Sequence, residues 1–196
     1  MIERARSGDT DALGHLWRAY NHLLLRYFRG KGMAEPEDLA STVWVEVASS
    51  ITRFEGSEHD FRRWLFTIAA RRRIDDIRST KRQEARVRRD RQTTIVEHAP
   101  DAGAVAHQAA AIDRAIAIIR TLPAGQAEAV LLRVIGELGI SEVAVIMGTS
   151  EGNVRVMVHR GLKRLAESLS EPSSSSRPPS RPQVVTNQPR ATMSST

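Results

Sequence analysis

Cysteine is absent from the 196 residues, which excludes disulfides, thiolate metal sites and thiol nucleophiles and fits a reducing compartment. Long apolar runs are absent too: no stretch approaches the roughly 18 residues needed to span a bilayer. The opening "MIERARSGDTDALG" has no apolar core of the secretory kind. A cytoplasmic protein without direct membrane insertion is therefore expected. Sustained period-two alternation is missing, so no strand is predicted. The six histidines are scattered without metal-ligand spacing, and no glycine-rich loop offers a phosphate cradle. Asp75 and Asp76 are adjacent, hence about 100° apart on a helix, and are expected to pair with neighbouring arginines. These absences argue against an enzyme, a bound metal, a cofactor or a small-molecule substrate.

Charge is what the chain has in excess. Lys and Arg number 29 against 23 Asp and Glu, with a pI near 10.6, which points to a polyanionic partner. The excess is localised: Arg62 to Arg91 holds 12 basic and 4 acidic residues, a net of +8 that exceeds the net +6 of the whole chain. A second basic run, Ser150 to Leu165, has four Lys or Arg and one Glu.

Apolar spacing is helical on both sides of these runs. Leu13, Leu16, Trp17, Tyr20, Leu24 and Tyr27 mark one face of a long helix. Pro36 suits the first turn of a second, with Glu37 and Asp38 at its positive end and Leu39, Ala40, Val43, Trp44, Val47 and Ala48 on a wide apolar face. "RFEGSEHD" at 53–60 reads as a polar loop, and a third helix opens at Phe61. Residues 83–110 carry few large apolar side chains and read as an exposed, partly helical linker. From Glu171 onward, five of the chain's eight prolines and seven serines fall in 26 residues, so 170–196 is expected to be a disordered tail.

The segment "GISEVAVIMGTSEGNVRVMVHRGLKRL" is more specific. Ile140, Val143, Ala144 and Met147 form a short stripe capped by Ser141, and Gly148 supplies a tight turn. Ser150 then caps a second helix whose Val154, Val158, Leu162 and Leu165 lie within about 80° of one another. Arg155, His159, Arg160 and Lys163 lie opposite that stripe, and so does Val156. Small alanine, turn glycine and buried valine at these offsets make a helix-turn-helix, with Val156 placed to touch a thymine methyl and the arginines to take guanine edges or phosphates.

With these motifs in hand, "PEDLASTVWVEVASSITRFEG" and "FRRWLFTIAARRRIDDIRSTKR" resemble region 2 of bacterial RNA polymerase sigma factors. "LPAGQAEAVLLRVIGELGISEVAVIMGTSEGNVRVMVHRGLKRL" resembles their region 4. The likeness is to the small extracytoplasmic-function (ECF) class. It implies an all-α chain of two small helical domains joined by a flexible linker: region 2 over 5–82, linker 83–110, region 4 over 111–169. It also implies a promoter-specificity subunit whose partners are core RNA polymerase, promoter DNA and an anti-sigma factor. Asp38, Ser41, Thr42 and Val45 would face the polymerase clamp. Glu55, Gly56, Ser57, Glu58, His59 and Asp60, with Arg62, Arg63, Arg71, Arg72 and Arg78, would meet the −10 element. Asn153, Arg155, Val156, His159, Arg160 and Lys163 would read the −35 element. Trp64, in phase with Phe61 and Ile68, reads as core rather than as a platform for a base. The competing reading is a free-standing helix-turn-helix regulator that binds duplex DNA without polymerase.

Overall fold

A computed structural model describes residues 1–90 and 107–170; the tail and most of the expected linker lie outside the described residues. All described regular structure is helical, and no strand occurs among the described residues. A short α1 (Ile2–Arg6) leads into α2 (Thr10–Gly30), where Asp9 caps the start by accepting the Ala12 N–H at 3.0 Å. Pro36 opens α3 (Pro36–Ser50), and a single 3₁₀ turn, Ile51–Arg53, leads to α4 (Glu58–Asp90). Then come α5 (His107–Thr121), α6 (Ala124–Val134), α7 (Ile140–Met147) and α8 (Glu151–Ser170). No described helix is long and apolar enough to cross a membrane.

The first block closes on α2, α3 and α4. Leu16, Tyr20, Leu24, Tyr27 and Phe28 of α2 meet Val43 and Val47 of α3 and Phe61, Leu65, Phe66 and Ala69 of α4, all buried. Tyr20 meets Phe61 edge-on at 5.4 Å, and Tyr27 meets Phe66 at 5.7 Å, geometry that suits aromatic quadrupoles. In the second block, α6 packs against α7 and α8, with Val130, Leu131 and Leu132 buried. At Gly161 a Cβ would stand 2.6 Å from Val130 Cγ2, so the α6–α8 crossing is close because that position carries no side chain.

Several expectations need correction. The α2 stripe is narrower than predicted: Trp17 is 48% exposed. Ala48 is likewise exposed. Helix α4 starts at Glu58, not Phe61. Helix α7 starts one residue before Ser141, and the Glu142 carboxylate reaches back to the Gly139 N–H at 2.7 Å in place of a serine cap. Leu162 is exposed; the packed face of α8 runs through Val154, Met157, Val158, Gly161 and Leu165. Asp75 and Asp76 join none of the ion pairs among the described residues; Arg71, Arg72 and Arg73 pair instead with Glu46 and Glu128.

Candidate nucleic-acid interface

The stretch 54–60, a short loop that runs into the first turn of α4, is internally anchored rather than slack. Phe54 is buried against Phe61 and Trp64, which fixes the loop's entry. Gly56 follows at φ 141°, a backbone region that favours glycine, and a Cβ there would lie 2.7 Å from Asp60 Cβ. Ser57 and Asp60 then form a reciprocal cap on α4. The Asp60 carboxylate accepts the Ser57 N–H at 2.9 Å and the Ser57 hydroxyl at 2.7 Å, while the Asp60 N–H donates back to Ser57 Oγ at 3.3 Å. The Ser57 hydroxyl and amide together hold the Asp60 carboxyl below its ordinary pKa, so this cap is fully formed at neutral pH. Its stabilisation is present above the ordinary carboxylate pKa and fades only as acid protonates Asp60. Glu55, Gly56, Ser57, Glu58 and His59 are exposed around this frame. Replacing Ser57 with Ala should cost about 1 kcal/mol and lower the thermal midpoint by roughly 2–4 °C; an unchanged midpoint would show that the cap contributes nothing.

Along α4, Arg63, Arg71 and Arg78 are exposed, and Arg62 and Arg72 are half-buried. Arg62 lies 5.6 Å over the Tyr20 ring and pairs with Glu137. Arg63 pairs with Asp60 at 3.3 Å. Arg71 and Arg72 both bond to Glu46 of α3, Arg72 through Nε at 2.7 Å, which fixes these cations beside the α3–α4 packing. Trp64 is half-buried on Phe54 and Phe61, so it supports the loop rather than standing free.

On α3 the core takes Leu39, Ala40, Val43, Trp44 and Val47, which leaves Asp38, Ser41, Thr42 and Val45 exposed together. Val45 is 71% exposed. Ser41 and Thr42 turn their hydroxyls back to the carbonyls of Glu37 and Asp38, each at 2.9 Å, so this surface is less polar than its composition suggests.

The helix-turn-helix is formed by α7 and α8. Gly148 takes the left-handed conformation (φ 62°, ψ 39°) that closes α7, and Ser150 Oγ accepts the Asn153 N–H at 3.3 Å at the start of α8. Val154 is fully buried. Asn153, Arg155, Val156, His159, Arg160 and Lys163 are all exposed, with Val156 at 46%. Arg155 pairs with Glu151 at 2.7 Å, and Lys163 stands 3.9 Å from Glu167.

This arrangement can be set beside known proteins. The model of Sigma-70 region 2 matches residues 15–83, and that of Sigma-70 region 4 matches residues 112–165. Together these cover more than half of the chain. The chain belongs to the ECF family of RNA polymerase sigma factors. Among curated relatives, the ECF sigma factor SigX of Bacillus subtilis is 30% identical over 73% of this chain and 75% of its own length. SigD of Mycobacterium tuberculosis is 29% identical over 86% of this chain and 82% of its own. BldN of Streptomyces coelicolor is 32% identical over 86% of this chain, which spans 64% of that longer protein. The fold is shared with CnrH solved with the cytosolic domain of CnrY, at TM-score 0.57, 21% identity and coverage of 86% of this chain and 94% of that one. It is shared also with RpoE solved with the anti-sigma factor NepR from Bartonella quintana, at TM-score 0.51, 24% identity and coverage of 79% and 96%.

As a sigma factor the chain is a promoter-specificity subunit, a member of a family of transcription initiation factors, and the reading as a free-standing regulator is not favoured. Four carboxylates that hold cations in or beside this interface escaped the sequence reading: Glu46, Glu128, Glu137 and Glu142. The last carried a local signal, an acidic residue three positions after a helix cap. The other three pair with residues distant in sequence, and spacing alone has no access to them.

Proposed function

We propose that this sigma factor directs initiation through three surfaces. The exposed face of α3, centred on Val45, docks on the clamp of core RNA polymerase. The loop at 55–60, with Arg62, Arg63, Arg71, Arg72 and Arg78, takes the −10 element as single strand, where a basic track beside a shaped loop suits splayed bases and phosphates. The outward face of α8 enters the major groove at the −35 element. One observation supports the reading above the others: the clamp and −35 sets are exposed on helices whose opposite side is filled by core, and in the −10 set all but the half-buried Asp60, Arg62 and Arg72 are exposed. The factor acts in the cytoplasm, has no catalysis and needs no cofactor of its own. An anti-sigma factor is its regulatory partner, a role supported by the partner seen with RpoE.

The test is to mix the protein with core polymerase and genomic DNA and sequence the transcripts. The expected result is initiation at a defined set of start sites preceded by two shared elements. Tight operator binding by the free protein, with no polymerase association, would replace this reading with that of a free-standing regulator.

A further inference from the structure

An open cleft of about 270 Å³ lies outside the surfaces assigned above, where α4, α6, the end of α7 and the turn after α2 meet. Its charged lining is Lys31, Arg73 and Glu128. Glu128 is only 6% exposed, and the side chains of Lys31 and Arg73 are 7% and 15% exposed. The carboxylate is fully engaged. The Tyr27 hydroxyl donates to one oxygen at 2.5 Å, and Lys31 Nζ and an Arg73 nitrogen each stand 2.9 Å from the other. Burial, and next the Glu128 charge, push the Tyr27 phenol well above its ordinary pKa, so it stays a neutral donor. Two cations therefore face one anion, and the cluster keeps an excess positive charge largely withdrawn from water.

The hydrogen bonds are uneven in the same sense. An ammonium has three protons to donate and a guanidinium five. Lys31 faces Glu128 and donates to the Ala124 carbonyl at 3.1 Å, which leaves one proton over. Arg73 donates from Nε to the Tyr27 hydroxyl at 3.3 Å and turns Nη2 to Glu128, and its Nη1 has no acceptor among the described residues. The start of α6 adds to the imbalance. Ala124 and Gly125 line the cleft, and Pro123 provides no side-chain cap, so the first amide protons of that helix have no intrahelical partner. The rest of the lining is apolar: Ala70, Ile74, Ile146 and Met147. Sites for drug-sized ligands run from about 300 to 1,000 Å³, so this smaller space suits a body on the order of ten non-hydrogen atoms.

We infer that this cleft is a binding site for a small amphipathic anion, a carboxylate on a short alkyl or aryl body, with its head on Lys31 and Arg73 and its body along Ile74, Ile146 and Met147. A cation held out of water is costly unless it is paired. A carboxylate brings both the missing charge and the missing acceptors, through charge-assisted hydrogen bonds that are stronger than neutral ones. A bare inorganic anion would leave the apolar lining wet, and a neutral alcohol would leave the excess charge uncompensated. None of the lining residues belongs to the clamp, −10 or −35 sets, so the site goes beyond the function proposed above and does not depend on it.

The test titrates the full chain, labelled with ¹³C at its methionine methyls, with octanoate. Met147 lines the cleft, whereas Met1 stands exposed ahead of α1. Met147→Leu, which nearly conserves volume, assigns the Met147 resonance. Expected is a saturable shift of the Met147 methyl with half-saturation at or below about 1 mM, while Met1 does not move. 1-Octanol has the body without the charge, and inorganic phosphate the charge without the body. Each should bind at least about tenfold more weakly than octanoate. Two variants attack the site from different sides. Ile74→Asp sets a like charge on an exposed lining position outside the core. Lys31→Met removes one cation while Arg73 and Tyr27 still hold Glu128. Both should weaken octanoate at least about tenfold with retained helical circular dichroism, and the Ile74→Asp result stands alone should Lys31→Met fail to fold. No shift of Met147 with octanoate, equal binding of 1-octanol or of phosphate, or wild-type affinity in folded Ile74→Asp would overturn the site.

Discussion

Exchanging Asp38 for Arg and Val45 for Glu together should abolish co-purification with core RNA polymerase while the helical circular-dichroism signal is unchanged. The fold is insulated from the change. Asp38 and Val45 are exposed, their side chains make no described hydrogen bond, and Thr42 bonds to the Asp38 backbone carbonyl, which the exchange retains. The interface is not insulated. Val45 is the bare apolar point of a surface whose hydroxyls are turned inward, and a glutamate there must be desolvated without a partner on docking. Reversing the charge at Asp38 adds a repulsion worth several kcal/mol if a polymerase cation faces it, on the order of 100-fold or more in affinity. Pull-down of core polymerase by tagged wild type and double variant, at matched salt, is the measurement. Wild-type recovery by the variant would remove the clamp role from α3.

How far the interface could be read before the structure depends on the range of the interaction concerned. Ala144, Gly148 and Val154 lie on one short hairpin, and local periodicity with one turn glycine is enough to place them. The start of α4 is also local. The period alone points to Phe61, whereas the Ser57–Asp60 spacing is a capping signal that moves the start to Glu58. The inward face of α8 is harder. A purely apolar count favours Leu162, but the neighbouring Gly161 is what meets Val130, since a close crossing selects for the absence of a side chain. A glycine carries no hydropathy signal, so the phase drifts by one position. Glu128 is harder still. Its partners Tyr27 and Arg73 lie on two helices of the first block and Lys31 in the turn after α2, and burial of a carboxylate runs against every compositional expectation. Such a residue is legible only once tertiary packing is known.

At the −35 element, Arg155 and Arg160 should supply most of the affinity of α8, and Val156 should set which bases are accepted. The free chain already holds Arg155 against Glu151 at 2.7 Å, so DNA must compete for it. That competition is weak: an exposed i,i+4 pair is worth about 0.3–0.5 kcal/mol, against roughly 1–3 kcal/mol for a bidentate arginine–guanine contact. Arg155→Ala or Arg160→Ala should therefore cost about 1–3 kcal/mol where the target is a base edge. Where the target is a phosphate, the loss should be even across sequences and the salt dependence shallower. Val156 projects from the exposed side of α8 while Val154 is fully buried. Val156→Ser should accordingly leave the thermal midpoint unchanged and shift preference at one thymine-bearing position, where a methyl contact is replaced by a hydroxyl. The measurement is initiation with core polymerase on a promoter library randomised in the −35 element, for wild type and each variant. If all three variants keep the wild-type preference and strength, α8 does not read DNA. If Val156→Ser alone keeps the preference while the arginine variants lose strength, α8 holds the backbone and leaves the bases unread.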